Sequence, residues 1–293
     1  MDKVMKKVFW CFAALTMTVV AFMGVYIIAN GLPFFKHTSL WAFLTGKNWM
    51  PSGEIFGIFP MLVASLYGTI GAMVIAIIVG VSTDIVLVEL LPAKLAALLS
   101  AAVDLLAGIP SVIYGFWGLM VVVPLINDLW GGKGAGSSLL AVIFILALMV
   151  LPTVIRMTEV SLRAVPNEYK EGALALGSSR LQYIFKVQLK AASSGTLAGI
   201  ILAIGRALGE TMAVILVAGN TALLPQSITD PVRTLTANIA IEMGYASGVH
   251  QQALFATGMV LFVLIIAINL AMHMLNTRTE RRERRESKGK NTL

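Results

Sequence analysis

The chain has 293 residues, of which 58% are hydrophobic and only 13% charged, with a mean hydropathy of +0.85. A water-soluble domain of this length carries about a quarter charged residues, so the composition excludes a soluble globular domain and points to an integral membrane protein. The net charge is +7, but its placement matters more than its sum, and the single cysteine, Cys11, excludes an internal disulfide framework or thiolate metal cluster.

Six apolar segments follow one another: residues 8–30, 60–82, 95–125, 139–155, 196–224 and 253–275. A helix needs about 20 residues to cross a hydrocarbon core of about 30 Å. The pattern therefore predicts one all-α, polytopic domain of six transmembrane helices spanning residues 1–293. The first segment follows Lys3, Lys6 and Lys7 like a signal peptide, but it lacks a clear small-residue cleavage site and reads as a retained span. The third contains Gly108, Pro110 and Gly115, which predict a kink or break. The fourth is short and is expected to end at Pro152. A flexible turn is expected over "GGKGAGSS", residues 131–138.

Six spans place both termini on one side, and the positive-inside rule identifies it. Seventeen of the 22 Lys and Arg residues fall at the N-terminus, in connectors 83–94 and 156–190, and in the tail 276–293. Only Lys36, Lys47, Lys133 and Arg233 fall opposite. Both termini are thus expected in the cytoplasm. The basic tail "RTERRERRESKGK" reads as a solvated stop signal, with membrane lipid as its alternative contact.

Connector 156–190 carries a pattern of its own. Pro166-Asn167-Glu168 is a helix start, with Asn167 able to cap and Glu168 favoured in the first turn. Gly177 can end that helix in a left-handed conformation, and Ser178 or Ser179 can cap a second, running from Arg180 to Leu189. Gly172, Ala173 and Ala175 leave room for a partner to approach, which makes this helix-turn-helix a docking surface rather than a simple linker.

The fifth span holds two charges, Arg206 and Glu210, in a stretch from 191 to 229 that is otherwise uncharged. An arginine deep in a bilayer costs about 2.5–3.5 kcal/mol on insertion scales. On a continuous helix Glu210 lies one turn on, so the simplest relief is an ion pair. Such a pair could serve packing alone, but an intramembrane charge marks a pathway by default. A guanidinium fork matches an oxyanion, and a neighbouring glutamate would moderate its affinity. Gly205 and Gly209 flank the pair, and Thr211 and Asn220 add polar groups along the span.

No GxxxxGK(S/T) phosphate cradle is present, so the chain is not itself an ATPase and no cofactor is expected in it. His37, His250 and His273 are scattered and read as interfacial polar groups, not metal ligands. No nucleic-acid partner is expected.

The connector resembles the "EAA" loop of ABC importer permeases. Glu171-Gly172-Ala173 is followed after three residues by Gly177, and after nine more by Val187-Gln188-Leu189-Lys190. Gly172, Val187 and Lys190 depart from the pattern's Ala, Ile and Pro. "FGIFPMLVASLYGT" (56–69), "IPSVIYGFWG" (109–118), "GRALGETMAV" (205–214) and "TLTANIAIEMGYASGVHQQALFATGMVLF" (234–262) resemble the permeases of phosphate-specific ABC importers. The last block is closer to the PstC type than to the PstA type. The resemblance implies a type I importer architecture and a heterodimeric pore with a sister (PstA-type) permease. It also implies two ATPase (PstB-type) subunits docked on Glu171, Gly172, Ala173 and Gly177, and an extracytoplasmic phosphate-binding (PstS-type) protein. The pathway for inorganic phosphate is expected at Arg206, Glu210, Thr211 and Asn220. Sulfate or molybdate transport, or a role in phosphate signalling, are the alternatives left open.

Overall fold

The computed structural model describes residues 2–131 and 134–290. Among the described residues its regular structure is helical apart from one small hairpin and an isolated bridge between Gly219 and Val232. In chain order the helices are α1 (Asp2–Gly31), α2 (Leu40–Thr45), α3 (Phe59–Ile85), α4 (Ala93–Gly108), α5 (Ser111–Trp117), α6 (Val123–Trp130), α7 (Leu139–Arg163) and α8 (Asn167–Ala175). They continue with α9 (Arg180–Tyr183), α10 (Leu189–Ala191), α11 (Ser193–Gly209), α12 (Met212–Val217), α13 (Leu235–Glu242) and α14 (Gly248–Lys290). The hairpin pairs β1 (Trp49–Met50) antiparallel with β2 (Ile55–Phe56).

Among the described residues five helices are long and apolar enough to cross a membrane: Val4–Lys36, Phe59–Leu90, Ser111–Trp130, Leu139–Arg163 and Gly248–Met272. Arg180–Ala191 and Ser193–Gly209 meet the same length and hydropathy criterion only as a pair, and they join at a 66° bend. The expected all-α polytopic class therefore holds, while several expected boundaries move. α3 does not stop near 82 but runs on through a π-helical turn, Val86–Leu90, so the expected 83–94 connector is mostly helix. The third segment is two helices, not one span. Pro110 cannot continue the hydrogen-bond ladder, so α4 ends at Gly108 and the crossing restarts at Ser111. α7 instead passes through Pro152, because that residue is buried among neighbouring helices where the freed carbonyl is shielded from lipid. Gly132 and Lys133 of the expected 131–138 turn lie outside the described residues.

Small residues set the packing at the centre. Ala64, Gly68, Ala72, Ala76 and Gly80 recur every fourth residue on α3 and are buried there. This stripe lets α7 approach closely, as small residues do between helices in lipid. A methyl group on Gly71 or Gly80 would lie only 2.7 Å from Ile143 or 2.9 Å from Val154. Met73, Ala76, Val150, Val154, Ala203 and Ala207 then fill the α3–α7–α11 junction. A second core, with Phe34, Phe43, Phe56, Ile58, Met61 and Leu235, sits beneath the hairpin and forms a cap at one end of the bundle. The opposite end carries α8 and the bend. α1 leaves Trp10, Phe12, Met17 and Phe22 exposed, as a lipid-facing helix should.

Candidate transport pathway and coupling site

The fifth span breaks where its two charges lie. α11 covers 17 residues, about 25 Å of rise, and ends at Gly209. Glu210 then takes an extended backbone (φ −69°, ψ 131°), and α12 starts at Met212. Arg206 occupies the last turn of α11 and complements the negative end of that helix dipole. The Ala213 N–H donates to Glu210 Oε1 at 3.1 Å, so Glu210 caps the positive end of α12. Order and spacing thus fit two helix ends facing each other.

This corrects the expected Arg206–Glu210 pair. Arg206 is on α11 whereas Glu210 lies in the extended break beyond it, and Arg206 Nη1 donates instead to Thr153 Oγ1 of α7 at 3.4 Å. Arg206 is exposed, and Gly205 and Gly209 have open space beside them. The Glu210 carbonyl accepts from Thr236 Oγ1 at 2.8 Å, and Ser65 Oγ of α3 accepts from the Leu235 N–H at 3.0 Å. Ser65, Gly68, Thr69, Ala207, Glu210 and Thr236 enclose a cavity of about 10 Å³. That space suits one water molecule. Thr211 belongs to the break and donates to the Gly209 carbonyl at 3.3 Å. Asn220 does not belong to it. It lies beyond α12 with φ +53°, and its Nδ2 donates to the Ile215 carbonyl at 2.8 Å. The Asn220 carbonyl accepts from Arg233 Nε at 2.8 Å, so the residue serves the cap.

The helix-turn-helix is present. Pro166, not Asn167, occupies the cap position of α8, and Asn167 is its first residue. The Gly177 N–H donates to the Leu174 carbonyl at 3.0 Å and the Ser178 N–H to the Ala173 carbonyl at 3.1 Å. This two-bond ending needs a left-handed residue, and Gly177 supplies it with φ +80°. Ser179 and Gln182 form a reciprocal capping box on α9. Helix 180–191 then runs on through a π-helical stretch, Ile184–Gln188. Glu171, Gly172 and Gly177 are exposed and Ala173 is half-buried. Leu176 beside them is 89% exposed.

Three ionic clusters escaped the sequence reading. At the loop end Glu89 is buried and accepts from Lys170 Nζ at 2.8 Å and Gln188 Nε2 at 2.9 Å. Also there, Arg156 bonds Asp104 of α4 and Glu159, joining α4 to α7. At the cap Glu242 accepts from Trp49, Arg233 and His250. A carboxylate inside an apolar run, such as Glu89 in "DIVLVELL", was the available signal.

Solved ABC importer permeases share this fold. The alginate ABC transporter crystallised with its periplasmic protein matches at TM-score 0.64, 15% identity, covering 94% of this chain and 96% of that one. An inward-facing methionine transporter matches at TM-score 0.61, 20% identity, covering 79% and 99%. Residues 76–282 match the binding-protein-dependent transport system inner membrane component family, and the chain belongs to that family. A probable ABC transporter permease of Bacillus subtilis is 36% identical over 90% of this chain and 86% of its own length. The phosphate transport system permease PstC of Pasteurella multocida is 34% identical over 84% and 82%. That of Mesorhizobium japonicum is 36% identical over 80% and 78%.

Proposed function

We infer that this chain is a transmembrane subunit of an ATP-driven importer of inorganic phosphate. The similarity to PstC permeases over most of both chains carries this reading, and the broken fifth span supplies the chemistry. In this reading both termini and α8 face the cytoplasm, and the cap faces outward. A binding protein delivers phosphate to the cap, and a sister permease completes the path. Two partner ATPases bind the ATP and dock on Glu171, Gly172, Ala173 and Gly177, and this chain transports without catalysing a reaction. Arg206 presents its fork to the passing anion from the end of α11. Glu210 holds the start of α12 and places a negative charge beyond Arg206, so the anion is held and then released. Thr211 lines the same break.

Labelled-phosphate uptake into vesicles carrying the assembled importer tests this. Arg206→Gln removes a charge-assisted contact of about 1.5–3 kcal/mol, so uptake should fall about tenfold to a hundredfold with assembly intact. Undiminished uptake would remove Arg206 from the path, and full competition by sulfate or molybdate would reject phosphate as the preferred anion.

A further inference from the structure

We propose that Glu89 is a positioning residue that locks the helix-turn-helix 167–191 to α3, so that movement of the loop is delivered along α3 to the break at Glu210. The proposal rests on the loop being the ATPase-docking element, as read above.

Glu89 lies in the π-helical turn that ends the Phe59–Leu90 helix, and its side chain is 5% exposed. Three side chains from the loop converge on it. Lys170 of α8 reaches Oε2 at 2.8 Å, and Gln188 reaches Oε1 at 2.9 Å from the π-helical stretch of the second helix. Arg180 of α9 bonds the Glu89 carbonyl and stands 3.8 Å from Oε2. Lys170 is itself held over the Tyr183 ring, 5.6 Å from its centre. Both helices of the loop are therefore tied to a single residue of α3. Moving the loop alone would strip a buried carboxylate of its counter-charges, which is strongly unfavourable. Moving the loop with α3 keeps every bond.

α3 is suited to carry that motion. With its π turn it is one 32-residue helix, about 48 Å long. Its other end brings Ser65, Gly68 and Thr69 to the cavity at Glu210, and Ser65 accepts from the Leu235 N–H. π turns recur at functional sites in helices, and both faces of this contact carry one.

The test uses the assembled importer in liposomes, with Glu89→Gln and, on the exposed side of the contact, Lys170→Met. ATP hydrolysis should stay within about twofold of native while uptake falls about tenfold, so ATP spent per anion rises about tenfold. Spin labels on cysteines at Val86 and Leu174, in a Cys11→Ser background, read the lock directly. Their separation should be the same in nucleotide-free and vanadate-trapped native complexes and should change on trapping in both variants. An unchanged ATP-to-anion ratio with native label behaviour overturns the proposal. So does failed assembly of Glu89→Gln beside a native-like Lys170→Met, which would make Glu89 a folding group only. If the native complex takes up no phosphate but the label result holds, the substrate reading fails and the lock stands.

Discussion

Replacing Glu242 with glutamine should destabilise the cap more than its single-atom change suggests. Glu242 Oε1 accepts from Arg233 Nη1 at 2.7 Å, while Oε2 accepts from Trp49 Nε1 and His250 Nε2, each at 2.8 Å. Either orientation of a glutamine amide sets an NH₂ group against a donor, Arg233 in one case and Trp49 in the other. The side chains of Glu242 and Arg233 are 6% and 18% exposed, so water gives little relief. Stranding one partner of a buried pair costs about 3–5 kcal/mol. Arg233 keeps the Asn220 carbonyl and Asn238 Oδ1 as acceptors, which lowers the expectation to about 2–4 kcal/mol. For a chain of this length that corresponds to a fall of about 3–7 °C in the unfolding temperature, measurable by thermal shift in detergent. Arg206→Gln, which alters an exposed side chain, is the control and should move the midpoint by less than about 2 °C. A shift under 2 °C for Glu242→Gln would mean that the three bonds do not hold the cap, and the reasoning would be wrong.

Two further experiments test other parts of the fold. Gly115→Ala places a methyl 2.6 Å from the Ala213 Cα, so α5 and α12 must part at a cost of about 1–3 kcal/mol; Gly108→Ala, with nothing within 4 Å, should be tolerated in the same thermal assay. Exchanging the charges, Arg206→Glu with Glu210→Arg, should not restore uptake, since each charge then faces the wrong helix end at about 0.3–1 kcal/mol apiece and α12 loses the Glu210 cap; recovery of native uptake would mean that the two form a simple ion pair.

What could be read from the sequence was what depends on local composition. Apolar runs gave the approximate spans, Gly177 gave the left-handed helix ending, and the Ser178-Ser179 pair gave the second cap, which Ser179 supplies. Errors came where tertiary surroundings decide. Pro110 and Pro152 are the same residue with opposite outcomes. Pro110 ends the ladder between α4 and α5, whereas Pro152 lies in a buried helix whose neighbours shield the loose carbonyl. Arg206 and Glu210 stand four apart, which predicts a shared face only if the helix is continuous. Gly209 weakens the helix there, and the Thr236 hydroxyl bonded to the Glu210 carbonyl gives the broken backbone a partner from outside the span. Asn220 looked like a member of that span because its neighbours are apolar, yet its left-handed backbone already places it beyond α12. The Glu89 cluster depends on contacts 81 to 99 residues away, which no local pattern could contain.

These corrections change how the site is understood. A self-satisfied pair on a straight helix would be a static feature, with the two charges cancelling each other. Two helix ends that meet at an extended residue have a joint between them. One side of that joint, Arg206, touches α7 through Thr153, and the other, Glu210, touches the cap through Thr236. A shift of α3 is felt at the cap side, because Ser65 accepts from the backbone of Leu235, the neighbour of Thr236. Under the proposed coupling, the Arg206–Glu210 separation would follow the position of α3. That variation is the property an anion pathway needs, since a fixed positive site would either fail to attract the ion or fail to release it.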